Sequence, residues 1–238
     1  MLKVITSRNN ERVKFACSLK ENSNRKKYGM FLAETFKSLE MAIANNSVVE
    51  VFALQYLDIP ENIPQNIVSE DVLKKISNNV NPEGVVFIAK MQEIKVNNPK
   101  KVLYLDEIND PGNMGTLLRT ALAFDYDLVV TSENCVSIYN EKVVNASKGA
   151  IFQIPVAKDK LKSFKGTHQI LVTNLSKNAI PLDEVQVPEK FVLVLGHESH
   201  GVSKDIRSLA DKEIIIPIKN IDSLNVAVAG GILMNKIH

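Results

Sequence analysis

From Lys101 onward the sequence alternates short, strongly apolar runs with segments of helical periodicity, and this alternation limits the fold more than any other feature. Runs at 102–106, 128–131, 152–156, 169–173, 191–195 and 213–217 are rich in Val, Ile and Leu. Strands that carry apolar residues at consecutive positions bury both faces, as in a parallel sheet flanked by helices. The pattern predicts an α/β domain with a mainly parallel sheet over 99–238. Upstream, residues 10–20 and 33–46 read as amphipathic helices, the second with Phe36, Leu39, Ala42 and Ile43 at helical spacing. Short strands at 49–53 and 66–68 and a helix over 70–77 follow. The buried run Val85-Val-Phe-Ile-Ala, entered through the turn Asn81-Pro-Glu-Gly84, completes a smaller α/β domain over 1–94. The polar stretch 91–101, which contains Pro99, reads as a linker. With 238 residues, 45% of them hydrophobic, two such domains can each bury a core.

The formal net charge is only +2, but residues 1–30 hold eight Lys or Arg against two Glu. Such a stretch is either a basic arm for phosphates or a solvated helix face, and charge alone leaves both open. Cys17 and Cys135 stand far apart, which excludes a zinc ribbon or disulfide scaffold and fits a reducing compartment. No apolar run approaches the roughly 20 residues of a membrane span, and the N-terminus lacks the apolar stretch of a signal peptide. A cytoplasmic protein with no membrane association is expected.

Three polar stretches fall at expected strand ends. In the first, Leu105 to Ala121, a strand gives way to Pro111, Gly112 and Asn113, and a helix starts around Met114. Its apolar stripe is Met114, Leu117, Leu118, Ala121 and Leu122. Arg119 lies off that stripe and is expected to project toward the carboxyl end of the strands, where open α/β sheets bind ligands. The GxGxxG fingerprint and a P-loop lysine are both absent, which disfavours a nucleotide-dependent enzyme. In the second stretch an apolar strand from Phe191 runs into Gly196-His-Glu-Ser-His-Gly201. Two histidines invite a metal reading, but convincing partner ligands are missing and no metal is expected. In the third, a strand stops at Pro217 and Leu224-Asn-Val-Ala-Val-Ala follows. Alternation alone makes that run a strand; Asp222 or Ser223 as N-cap makes it a helix with Asn225 in its first turn.

In order and spacing, these stretches resemble the three signature motifs of the SpoU (TrmH-like) RNA 2′-O-ribose methyltransferases of the SPOUT superfamily. The matching residues are Asn113, Gly115 and Arg119; Gly196, Glu198 and Gly201; and Ser223, Leu224, Asn225 and Val226. Lys142 to Ala150, followed by Ile-Phe-Gln-Ile-Pro155, resembles the segment between motifs. Ser7 to Asn10, Val13-Lys14, Arg25-Lys26-Lys27, Phe31 to Glu34 and Asn81 to Gly84 resemble the family's small RNA-binding domain. Two positions depart from the pattern: Asn145 stands where an arginine is usual, and Thr35 where glycine is common.

The resemblance implies a knotted (trefoil) C-terminal domain and a homodimer formed through it, with the active site at the interface and Arg119 facing the partner's cofactor. S-adenosyl-L-methionine (AdoMet) is the implied cofactor and RNA the substrate, rRNA ahead of tRNA. It implies catalytic roles for Arg119, Asn113, Glu198, Ser223 and Asn225. It further implies cofactor contacts from Thr173, Asn174, Leu195, Gly196, Glu198, Gly201, Ile216, Ile218, Leu224 and Val226, and RNA contacts from Arg8, Arg12, Lys14, Arg25, Lys26, Lys27 and Lys148. A non-catalytic RNA-binding protein of the same fold is the alternative that Asn145 favours.

Overall fold

A computed structural model of the chain describes residues 4–91, 95–176, 178–197 and 199–238. Its two compact units are Met1–Gln92 with Tyr139–Gln153, and Glu93–Ile138 with Ile154–His238.

The first unit runs α1 (Glu11–Ser18), α2 (Asn22–Tyr28), β1 (Met30–Glu34), α3 (Phe36–Ala44), β2 (Val48–Ala53), β3 (Gln65–Ile67), α4 (Glu70–Ile76) and β4 (Val85–Lys90). The strands form one sheet in the order β1-β4-β2-β3, with β4 antiparallel to both neighbours and β3 parallel to β2. Val13, Ala16 and Leu19 pack with Val72, Leu73 and Ile76 of α4 over Leu32, Phe52, Val86 and Ile88 of the sheet. The helix expected over 33–46 begins later than its pattern suggests, because Met30–Glu34 is a strand; a short apolar run carries no periodicity that separates the two.

Thr35 then caps α3, its side chain accepting from the Ser38 amide at 3.2 Å, with φ 79° and ψ 142°. A β-branched residue is strained there, whereas glycine is at ease. The preceding Glu34 is 3% exposed and accepts from Ser77 Oγ (2.6 Å), Asn78 N (2.7 Å) and Asn79 Nδ2 (3.1 Å). Its carboxylate fixes the turn that leads into β4.

The second unit opens with β5 (Lys101–Leu105), α5 (Pro111–Ala123) and β6 (Leu128–Thr131). Helix α5 starts three residues before Met114, because Asp110 accepts from the Asn113 amide at 2.7 Å and Pro111 suits a first helical position. The chain next enters the first unit as α6 (Glu141–Ser147) and a 3-10 turn at Ala150–Phe152. Phe152 lies 5.7 Å from Phe31 and 5.9 Å from Phe87, and Tyr139 lies 4.8 Å from Phe31. Segment 139–153 therefore packs on the small sheet, although the domain expected over 99–238 includes it. The strand expected at 152–156 is displaced for the same reason: Phe152 is committed to that aromatic cluster, and β7 (Val156–Lys158) begins only after Pro155.

The remaining elements are β8 (Gln169–Thr173), β9 (Ile180–Pro181), β10 (Phe191–Leu195), α7 (Lys204–Arg207), β11 (Lys212–Ile215) and α8 (Val226–Lys236). Seven strands pair in the order β7-β6-β5-β10-β8-β11-β9, every pair parallel. Alternation along the central strands sends Val102, Tyr104, Val192 and Val194 into one cluster with Leu161, Phe164 and Val202. On α8, Gly230 lets the helix close on its neighbours: a Cβ there would stand 2.4 Å from Leu117 of α5 and 3.0 Å from Leu195. The stretch 95–100 is pinned rather than loose, with Asn98 accepting from Lys190 Nζ at 2.7 Å and the Pro99 carbonyl 2.7 Å from His168 Nε2.

Thr35→Gly relieves left-handed strain of about 1–3 kcal/mol and loses only a few tenths from the cap, less glycine's unfolded-state entropy. We expect a net gain of about 1 kcal/mol in urea unfolding; an unchanged or lower midpoint would contradict the strain.

Candidate active site

The carboxyl ends of β8, β10 and β11 open into one cavity of about 410 Å³ within the second unit. Position 196 governs its wall. A Cβ on Gly196 would lie 2.3 Å from backbone atoms of Gly201 and Val202, so only glycine lets the chain after β10 fold back on itself. The turn is closed by paired backbone bonds between His197 and Gly201, at 3.1 and 2.9 Å. From β8, Thr173 Oγ1 donates to the Val194 carbonyl at 3.0 Å, and the Asn174 amide donates to the Ile214 carbonyl at 3.0 Å, locking three strand ends together.

Thr173, Asn174, Leu195, Gly196, Gly201, Ile216, Ile218, Leu224 and Val226 all line this cavity. Of the residues expected around a cofactor, the other is Glu198, which lies outside the described residues. The wall is chiefly aliphatic, with Leu195, Ile214, Ile216, Ile218 and Leu224 forming a slot suited to a flat heterocycle.

Ser223 also lines the cavity, but Asn113, Asn225 and Arg119 do not. Asn225 is itself the N-cap of α8, in place of Asp222 or Ser223: its Oδ1 accepts from Ala227 N (2.9 Å) and Val228 N (3.2 Å). This cap settles the ambiguity of Leu224 to Ala229 in favour of a helix. The same side chain donates through Nδ2 to Asn113 Oδ1 at 3.0 Å, joining the first motif to the third. Arg119 is exposed and makes no hydrogen bond or ion pair among the described residues. It is not among the residues that line its own chain's cavity. Eight residues separate it from Pro111, roughly 12 Å along the helix axis.

Arg25 corrects the expected RNA-binding set. It is 7% exposed and donates to the carbonyls of Leu19 (3.2 Å) and Lys20 (2.6 Å), closing the end of α1. Burial, the largest influence, lowers its proton affinity. Lys14, Lys26, Lys27 and Lys148 are exposed; Arg8 pairs with Asp71 at 3.3 Å, and Arg12 pairs with Glu50. The rings of His197 and His200 stack 4.1 Å apart rather than converging on a common point. Among the described residues no group of three or more His, Cys, Asp or Glu is placed to hold a metal ion, and no helix is long and apolar enough to cross a membrane.

Sequence reasoning missed Arg207. It lines the cavity, its Nη1 donates to Asn174 Oδ1 at 3.4 Å, and it lies near Glu213. Hydrogen bonds from Ser176 and Asn174 hold the Glu213 carboxyl below the usual carboxylate range. A four-residue helix carries too little periodicity to mark this position from sequence.

Fold and cavity together define an α/β protein with a cavity at the carboxyl ends of a parallel sheet, the place where such sheets bind ligands. Comparison with known proteins makes the class specific. The model of the SpoU rRNA Methylase family matches residues 100–235, and that of the MRM3-like substrate binding domain matches residues 10–86. The chain belongs to the SpoU methylase family. It is 30% identical to the 23S rRNA (guanosine(2553)-2′-O)-methyltransferase RlmP of Bacillus subtilis, across 98% of both chains. It is 25% identical to the mitochondrial rRNA methyltransferase 3 of Mus musculus, over 91% of this chain and 69% of that one. Among solved structures it resembles the AdoMet-bound rRNA methyltransferase from Sinorhizobium meliloti, with a TM-score of 0.88 and 25% identity over 99% of this chain and 97% of that one.

Asn225→Ala removes the cap of α8 and should cost about 1 kcal/mol in chemical unfolding, whereas Asn225→Asp keeps an accepting oxygen and should stay within about 0.5 kcal/mol of the parent. Equal losses in the two variants would refute the capping role.

Proposed function

We propose that this protein transfers the methyl group of AdoMet to a ribose 2′-hydroxyl of ribosomal RNA. The observation that carries the reading is a single cavity made by the loops after β8, β10 and β11, with Asn113 and Asn225 joining the first motif to the third. The cavity suits AdoMet in size and chemistry. Its volume falls in the range of about 300–1,000 Å³ usual for small-molecule sites, its aliphatic slot accepts an adenine, and its polar rim accepts an amino-acid tail. Similarity to an AdoMet-bound methyltransferase and to a named 2′-O-methyltransferase supports the same reaction.

When bound, AdoMet supplies an electrophilic methyl carbon on a sulfonium. The chain's own task is to align the ribose oxygen with it and to stabilise the charge that grows as the hydroxyl proton leaves. In this reading Asn113, Ser223, Asn225 and Glu198 orient the ribose and the guanidinium. Arg119 stabilises the developing alkoxide. With a pKa above about 12, a guanidinium serves that role better than the role of base.

Arg119 lies away from its own cavity, which suits a homodimer in which it faces the partner's cofactor. The exposed Val228 and Ile232, one turn apart on α8, and the exposed Ile221 offer an apolar face for that assembly. A trefoil knot is the topology we assign to the second unit. After β11 the chain must return across β8 and β10 to pack α8 on α5, past the turn that closes over Gly196. The first unit, Met1–Gln92 with Tyr139–Gln153, serves as the RNA-binding domain and the second as the AdoMet domain, with Arg8, Arg12, Lys14, Lys26, Lys27 and Lys148 contacting phosphates. The cytoplasm is the compartment proposed, consistent with two free cysteines.

Arg119→Ala should keep AdoMet affinity within about twofold while methyl transfer to rRNA falls by about 10²-fold or more. Calorimetry and a tritium-transfer assay check both halves. Near-parental turnover would remove Arg119 from the mechanism.

A further inference from the structure

We infer that Asp106 and Glu107, the two residues after β5, are positioning residues that clasp the far wall of the cofactor cavity and thereby set cofactor affinity. The inference rests on the cavity's being the AdoMet site.

The wall in question leaves β10 at Leu195 and ends at Ser203. His197, Ser199, His200 and Gly201 line the cavity from it. Both of its ends are tied to the residues that follow β5. At the base, the Asp106 amide donates to the Leu195 carbonyl at 2.8 Å. The Asp106 carboxylate, 3% exposed, accepts from the Ser203 amide at 3.0 Å. Burying a carboxylate is costly, and this one is positioned where it satisfies the amide with which the wall ends. At the tip, Glu107 Oε2 lies 3.3 Å from His200 Nε2.

Glu107 is held in place for that contact. Asn134 Nδ2 donates to its other oxygen at 2.8 Å, and its own amide donates to Ser132 Oγ at 2.9 Å. Its backbone sits at φ 57°, an unusual and strained place for glutamate, as is common at functional positions. The hydrogen bonds from Asn134 and then His200 hold its carboxyl below the usual range, so it stays ionised near neutrality.

A wall held at both ends already stands where the cofactor meets it, and only the fraction of molecules with the wall in place binds cofactor. The clasp therefore raises apparent affinity and leaves the chemistry untouched.

Calorimetric titration of AdoMet into the full chain, with kcat measured at saturating AdoMet, tests this. Asp106→Ala should weaken binding about tenfold, whereas Asp106→Asn, which keeps an oxygen to accept from the Ser203 amide, should stay within about twofold of the parent. Glu107→Ala should weaken binding about two- to fivefold, the range of an exposed pair. The loss should fall on affinity and leave kcat unchanged. Equal losses in Asp106→Ala and Asp106→Asn, a loss that falls on kcat, or affinities equal to the parent's in both alanine variants overturns the clasp while leaving the cavity reading intact. Failure of the parent to bind AdoMet, or unimpaired binding by Gly196→Ala, overturns the cavity reading and the clasp with it.

Discussion

The parallel pairing of β10 with β5 on one side and β8 on the other is the constraint on which everything functional here depends. It sets the three strand ends side by side, and each strand is apolar enough to be buried on both faces. Leu195 therefore ends in the floor of a cavity rather than at the surface, and the next residue must turn sharply. Gly196 makes the turn, and backbone atoms of Gly201 and Val202 occupy the space a side chain would need. From that close approach come the wall, the cavity and the place where α8 can begin.

The asparagine at the start of α8 shows how the fold and the site share one residue. One end of the Asn225 amide satisfies two free N–H groups of the helix, and the other reaches Asn113 across from the first motif. Stability and alignment thus come from the same group, and substitutions that separate the roles of its one oxygen and one nitrogen are informative. Arg119 contrasts with it. An exposed guanidinium that makes no ion pair among the described residues is inexpensive in water, and the role proposed for it depends on what a second copy of the chain or an RNA brings to it.

Much of the second unit was legible in the sequence because consecutive apolar residues over 191–195 and 169–173 permit little except a buried strand. The residues that a family resemblance assigns to a cofactor are, where described, gathered around one cavity. What escaped is physically instructive. Strand β1 and helix α2 were hidden because short segments carry too little periodicity. The destination of 139–153 was hidden because Phe152 reads equally well as a strand residue or as part of an aromatic cluster. Arg25 looked like one more phosphate-binding cation among Lys26 and Lys27, yet it is spent on the carbonyls at the end of α1. Sequence patterns report apolar faces well and report poorly where a long cationic side chain will fold back.

The most direct measurement of the central claim is a nucleotide-resolution map of ribose 2′-O-methylation in rRNA from cells with and without the gene, with complementation by the intact chain. The account predicts that one rRNA position loses its 2′-O-methyl group and regains it on complementation. A map identical in the two strains would contradict it.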